Sequence, residues 1–190
     1  MVNNIKNEKI LEAAIKLLAE QGCGVATAKI AKEAAVSNGT LFNYYPTKQA
    51  LLDGVYLSIK KEVSTQVINQ VAKQTTNIKD LVLYLWQQYI LWAMANLQKQ
   101  QVASLLRSSQ SISDEARASV DEIFSFINIK LEEAQKKQMI CAMPTAFLCE
   151  IAGAQMLATI QHARVHHVDQ QQLNHLIQQS FEVYWKGIKT

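Results

Sequence analysis

The chain has 190 residues, 49% of them hydrophobic and 18% charged, with a formal net charge of +3. This composition excludes a disordered chain, and the charge is too small to argue by itself for nucleic acid. Only 6 glycines and 2 prolines occur, which favours a nearly all-helical protein, because sheets and loops usually need more of both.

Residues 5–21 read as an amphipathic helix, with Ile10, Leu11, Ala14, Leu17 and Leu18 at three- and four-residue spacing. Gly22-Cys23-Gly24 ends it, since glycine readily takes the left-handed conformation after a helix. Short helices are expected at about 28–34 and 37–44, with a turn at 35–36. Pro46-Thr47 opens a long helix reaching about residue 72, and the polar Gln74-Thr75-Thr76-Asn77 breaks the pattern. Ile78, Leu81, Val82, Leu85, Tyr89 and Trp92 mark one face of a helix at 78–98, followed by a shorter one at 100–108. Ser113 caps a helix at about 114–137, with Val120, Ile123, Phe124, Ile127 and Leu131 inward. Pro144 starts a helix to about 166. Asp169 or a neighbour caps the last one, where Leu173, Leu176, Ile177, Phe181 and Tyr184 share a face.

The expected organisation is an N-terminal three-helix unit at 1–46 and a larger helical domain at 47–190, with 47–72 as the connecting helix. The apolar run from Phe147 to Ile160 is interrupted by Glu150 and Gln155 and is too short to span a bilayer. No apolar leader stands at the N-terminus. Cys23, Cys141 and Cys149 are scattered, without a CxxC, as in free thiols of a reducing compartment. A cytoplasmic protein without contact to membranes is expected.

The informative stretch is residues 30–45. A helix-turn-helix needs an apolar residue and a small one on its first helix, because the second helix crosses close by. Ile30 and Ala31 supply them, and Ala34 adds a core position one turn later. Val36 plugs the gap after the turn, and Leu41 and Tyr44 point inward from the second helix. Ser37 is the expected N-cap of that helix, with its side chain on the Thr40 amide. Asn38, Gly39 and Thr40 then give the helix a small, polar N-terminal end, which is what enters a major groove. Gly39 permits close backbone approach, Asn38 and Asn43 can read base edges, and Thr40, Tyr44 and Lys48 can hold phosphates.

These residues resemble the TetR family of transcriptional regulators. The matching run is Ile30-Ala31, Ala34-Ala35-Val36-Ser37, Gly39-Thr40-Leu41-Phe42, Tyr44-Tyr45 and Lys48. It is preceded by Ile10-Leu11, Ala13-Ala14, Leu17-Leu18 and Gly22. The match covers about residues 8–53. The resemblance implies phosphate contact by Thr27, a second-helix role on DNA for Lys29, and DNA-facing positions for Phe42, Asn43 and Tyr44. It also implies a homodimer on a palindromic operator of double-stranded DNA, acting as a repressor and released by a small-molecule effector. Three positions depart from the family pattern. Ala35 replaces a turn glycine, Val25 stands where a capping threonine is common, and Phe42 replaces a tyrosine and lacks its hydroxyl.

The last two long helices carry apolar residues on more than one face, and Ala152-Gly153-Ala154 with Ala158 permits close approach. They read as a dimer interface across a two-fold axis, or as one intramolecular core with the other side solvated. Candidates for an apolar effector pocket are Trp86, Tyr89, Ile90, Trp92, Ala93, Met94, Leu105, Phe124, Ile127, Met139 and Met156, with Gln155 able to orient a ligand. The same side chains would serve as plain core. Glu150 and Gln155 could each face either a ligand or the dimer partner.

His162 and His166 are spaced i,i+4 but have no acidic or cysteine partner nearby, so no metal site is expected. No cofactor is expected either. With no nucleophile elbow, phosphate-binding glycine loop or paired metal motif, catalysis is not expected. The competing readings are a DNA-binding protein without an inducer and a helical enzyme.

Overall fold

The computed structural model describes residues 2–68 and 77–190, with side chains from residue 5. Among the described residues there are ten α-helices and no strand. They are α1 (Val2–Gln21), α2 (Thr27–Glu33), α3 (Asn38–Tyr44), α4 (Lys48–Val63), α5 (Ile78–Ala95), α6 (Leu97–Ser108), α7 (Asp114–Ile123), α8 (Ser125–Lys136), α9 (Thr145–Val165) and α10 (Gln170–Ile188). A π-helical turn, Ser64–Ile68, follows α4. The expected end of the connecting helix near 72 and the polar break at 74–76 lie outside the described residues.

The helices group into two compact units. The first is drawn from Met1–Glu62 and Asn96–Ile123, the second from Val63–Ala95 and Phe124–Thr190. In the first unit α1 packs on α2 and α6, and α2 packs on α3. Its core holds Ile10, Ala14, Leu18, Ile30, Leu41, Leu51, Val55, Ile59 and Leu106, all almost fully buried. In the second unit α5 packs on α9 and α10, and α8 packs on α9. Its centre is Trp86, with Ile90, Leu148, Ile160 and Phe181.

Helix ends follow local chemistry. Gly22 takes φ +72° after α1, the conformation that stops a helix cheaply at glycine. The Thr47 hydroxyl accepts from the Ala50 amide at 3.0 Å and starts α4. Ser113 does the same for Ala116 at 3.2 Å and starts α7. Asp169 caps α10 with a full capping box: its carboxylate accepts from Gln172, and the Gln172 side chain accepts from the Asp169 amide.

Three expectations needed correction. The helix expected at 114–137 is two helices, broken at Phe124, where ψ is 5° and the carbonyl accepts from Ile127 at 3.0 Å. A one-residue break leaves the apolar spacing almost unchanged, so periodicity does not register it. The helix expected at 78–98 ends at Ala95, and Asn96 turns the chain into α6 three residues earlier than expected. On α5, Val82, Leu85 and Tyr89 are half-buried, whereas Trp86, Ile90 and Ala93 are the deeply buried positions. Helix α5 is apolar almost all round and is covered by both α9 and α10, so its own sequence does not select one inward face.

Candidate nucleic-acid interface

The geometry starts with the turn between α2 and α3. Ala35 has φ 54°, the left-handed region that an L-residue with a Cβ enters at a cost of about 1 kcal/mol. The turn is nevertheless closed: the Val36 amide donates to the Ala31 carbonyl at 3.0 Å, and Ala35 to Lys32 at 3.1 Å. Ser37 then caps α3 as expected. Its Oγ accepts from the Thr40 amide at 3.0 Å and lies 2.9 Å from the Thr40 hydroxyl. Helix α2 differs. Its N-cap position is Ala26, with no side-chain cap, and the Ala26 carbonyl alone accepts from Lys29 and Ile30. With Val25 buried in the core, neither residue before the helix offers a capping oxygen.

Packing divides the two short helices into an inward and an outward side. Ile30, Ala31, Ala34 and Leu41 are buried. Asn38, Gly39, Phe42 and Asn43 are exposed, Phe42 by 43%. Ser37 is exposed, and Thr40, Tyr44 and Lys48 are half-buried. Thr27 is half-buried at the start of α2. Lys29 is exposed, and its ammonium donates to the Gln21 side chain at 3.1 Å. The candidate contact residues Thr27, Lys29, Ser37, Asn38, Gly39, Thr40, Phe42, Asn43, Tyr44 and Lys48 therefore lie on one short stretch of chain, each of them exposed or half-buried.

Two supports escaped the sequence reading. The Tyr45 hydroxyl donates to Asn7 Oδ1 at 2.7 Å and ties the end of α3 to α1. Burial raises this phenol above its ordinary pKa, with the Asn7 bond acting the other way. Gly54 on α4 lies directly against the Tyr45 ring, with no room for a Cβ. An isolated tyrosine and a mid-helix glycine carry no periodic signal, so their pairing is visible only in three dimensions. The Lys16–Glu33 ion pair at 2.6 Å also links α1 to α2, but both groups are exposed and it contributes little.

The comparisons with known proteins point the same way. Residues 10–55 match the sequence profile described as bacterial regulatory proteins, tetR family. A structure assigned to the tetR family of transcription regulators, from Shewanella sp. PV-4, aligns with TM-score 0.88 and 29% identity over 97% of this chain and 98% of that one. Residues 10–55 thus carry the N-terminal domain of the tetR family, and the whole chain shares its fold with TetR regulators. A second TetR regulator, from Marinobacter aquaeolei VT8, has the same fold at TM-score 0.87 and 16% identity, over 98% of this chain and 96% of that one. A third similar fold is the transcriptional regulator FadR from Bacillus subtilis in complex with stearoyl-CoA. It aligns at TM-score 0.72 and 18% identity, over 95% of this chain and 98% of that one. These likenesses support a DNA-binding regulator with a TetR-type fold.

The candidate pocket residues are not all brought together. Leu105 belongs to the first compact unit, and the others to the second. Trp86 Nε1 donates to the Ser180 hydroxyl at 3.0 Å, and its ring packs on Tyr184 and Phe181 with centroids 5.2 and 6.1 Å away. Gln155 Nε2 donates to the Ser180 carbonyl at 2.7 Å. The Tyr184 hydroxyl donates to the Leu148 carbonyl at 3.1 Å, and burial pushes this phenol far above its ordinary pKa. Ile90 and Ala93 are fully buried. Tyr89, Met94, Phe124, Ile127 and Met156 are half-buried, and Tyr89 stacks on Trp92 at 6.0 Å. Met139 is exposed.

Glu150 is exposed on α9. The rings of His162, in the last turn of the same helix, and His166, its C-cap, lie 4.3 Å apart and tilted, both exposed. Among the described residues no group of three or more His, Cys, Asp or Glu side chains is arranged to hold a metal. The three cysteines are free thiols, and burial raises that of Cys149. Among the described residues no helix is long and apolar enough to cross a membrane.

Proposed function

We propose that this chain is a homodimeric repressor that binds a palindromic operator through α3 and is released by a small, largely apolar effector. The observation that carries the DNA-binding part is α3 itself. It is side-chain capped at Ser37, anchored by Leu41, and presents Asn38, Gly39, Phe42 and Asn43 outward. In this reading residues 1–46 read DNA, Asn38 and Asn43 address base edges, and Thr27, Lys29, Ser37, Thr40, Tyr44 and Lys48 hold the backbone.

Residues 47–190 would dimerise and bind the effector. The dimer proposal is supported by α9 and α10, which leave Phe147, Val165 and Val183 exposed by 49, 71 and 67%. The small Ala154 and Ala158 lie exposed on α9, where a second copy could approach closely. The effector proposal draws on the half-buried Tyr89, Met94, Phe124, Ile127 and Met156, and on the fold shared with a FadR solved with stearoyl-CoA. An effector that favours a dimer with the wrong spacing of its recognition helices would shift the population away from DNA.

Selection from a random DNA pool with the full chain tests this. The expected product is a palindrome with half-sites one helical turn, about 34–36 Å, apart, bound by two chains. Failure to enrich any sequence would refute the DNA-reading role. A second reading, DNA binding without an inducer, is favoured by Trp86 and Gln155, whose polar atoms are engaged within the fold. A thermal-shift screen of fatty acyl and aromatic compounds, followed by operator release, separates the two.

A further inference from the structure

Helix α9 ends in two histidines one turn apart. His162 and His166 are spaced i,i+4, which places both imidazoles on one face of the helix. Their ring centroids are 4.3 Å apart, with the planes at 39°. Both residues are exposed. The backbone beneath them is closed. The His166 amide donates to the His162 carbonyl at 3.1 Å, His167 to Arg164 at 3.4 Å and Val168 to Ala163 at 3.2 Å. With His167 at φ 48°, this is the doubly bonded helix stop built on a left-handed residue. It fixes the last turn and holds the two Cβ atoms at their helical separation of roughly 5–6 Å.

Two imidazoles so placed match a chelate. An imidazole nitrogen binds zinc at about 2.0–2.1 Å, which puts the ring centre roughly 3.2 Å from the ion. Two such rings at a right angle about one ion have centres roughly 4.5 Å apart. The observed 4.3 Å lies within a small side-chain rotation of that value. The helix also supplies a favourable field, because the C-terminal end of the 21-residue α9 carries partial negative charge that attracts a cation. Arg164 stands between the two histidines in sequence, but at 3.6 residues per turn it lies on the opposite side of the helix from both. Asp169, the carboxylate that follows in sequence, is engaged in capping α10.

We propose that His162 and His166 chelate an exchangeable divalent transition-metal ion, of the zinc, copper or nickel class, at the C-terminal end of α9. Imidazole suits these ions, whereas magnesium and calcium prefer oxygen. Among the described residues no group of three or more His, Cys, Asp or Glu side chains is arranged around a metal, so the other coordination positions fall to water. A structural zinc site is closed by four protein ligands, and a two-ligand site is open. Such a site responds to the level of free ion and does not hold the fold together. It stands apart from the DNA-binding and effector residues proposed above and depends on neither reading.

The test is NMR of the full chain, without an affinity tag, carrying 13Cε1-labelled histidine. The sequence has 4 histidines, and His162→Asn, His166→Asn, His167→Asn and His175→Asn assign their signals. Zinc chloride is titrated against magnesium chloride at constant ionic strength. The expected result is a saturable change of the His162 and His166 signals together, and none with magnesium. Excess EDTA is expected to restore the first spectrum while circular dichroism stays unchanged. By calorimetry, His162→Asn and His166→Asn should each weaken zinc binding about 10-fold or more, since losing a group that only orients a metal ligand already costs about 10–100-fold. His167→Asn and His175→Asn should leave it unchanged. Both histidines of the pair are exposed, so their variants keep the fold, which circular dichroism checks. Zinc affinity that survives either substitution in the pair, or that falls equally with His167→Asn, would overturn the chelate. Unfolding on EDTA would overturn its exchangeable character.

Discussion

Two regions of this molecule obey different rules. In residues 25–45, each position is set by a local requirement: a cap at Ser37, a left-handed turn at Ala35, a small residue at Ala31 under a crossing helix. In the second compact unit, α5 and α9 are apolar on several faces, and their partners are chosen by global packing of Trp86, Phe181, Tyr184 and Leu148. The first kind of region can be read for function residue by residue. In the second, a side chain that looks available in the sequence turns out to be held by a neighbour, as Gln155 is by Ser180.

Substitutions can break this contrast, and the largest effect belongs to the packed region. Trp86→Ala removes a ring that is almost fully buried between Phe181 and Tyr184. It should cost about 3–5 kcal/mol of stability, measured by chemical denaturation. A loss below about 1 kcal/mol would mean that this centre is loosely packed.

In the recognition helix, changes should act on DNA more than on stability. Asn43→Ala is expected to cost about 1–3 kcal/mol on the selected operator and to relax preference at one base pair. Equal losses on every operator variant would remove its base-reading role. Lys48→Ala should weaken all sequences alike and lower the salt slope by about 1, as for one lost phosphate contact.

Smaller effects sharpen the local rules. Ser37→Ala should destabilise by about 1 kcal/mol through the lost cap, and Ala35→Gly should stabilise by about 1 kcal/mol by relieving the positive φ. Opposite signs at positions two residues apart would confirm that cap and turn act separately; thermal unfolding of both variants reads this. A separate effect concerns pH. Lys60 has its ammonium lowered to about 8 from 10.5, by burial and by Arg107. The unfolded state therefore binds more protons between these values, and stability should rise with pH from about 8 toward 10. Lys60→Met should flatten that rise, and an unchanged pH profile would show the ammonium to be solvated.

The cap at Ser37, a cap at or next to Asp169, the stop at Gly22 and the inward set Ile30, Ala31, Ala34 and Leu41 were all legible in the sequence. The break at Phe124 was not, because the apolar spacing runs through it. The Tyr45–Asn7 bond and the fit of Gly54 under Tyr45 were not, because their partners lie far apart along the chain and have no common pattern.

The sequence by itself determined the helical class, the TetR-type turn and the chemistry of the recognition helix. These depend on contacts within a few residues, where side-chain type sets backbone conformation directly. Only the tertiary structure decided which faces of α5 are buried, that Leu105 belongs with the first unit, and that Trp86 packs between Phe181 and Tyr184. Those are long-range outcomes of how helices pack. Burial is non-directional, so a helix that is apolar all round does not specify which neighbour will cover it.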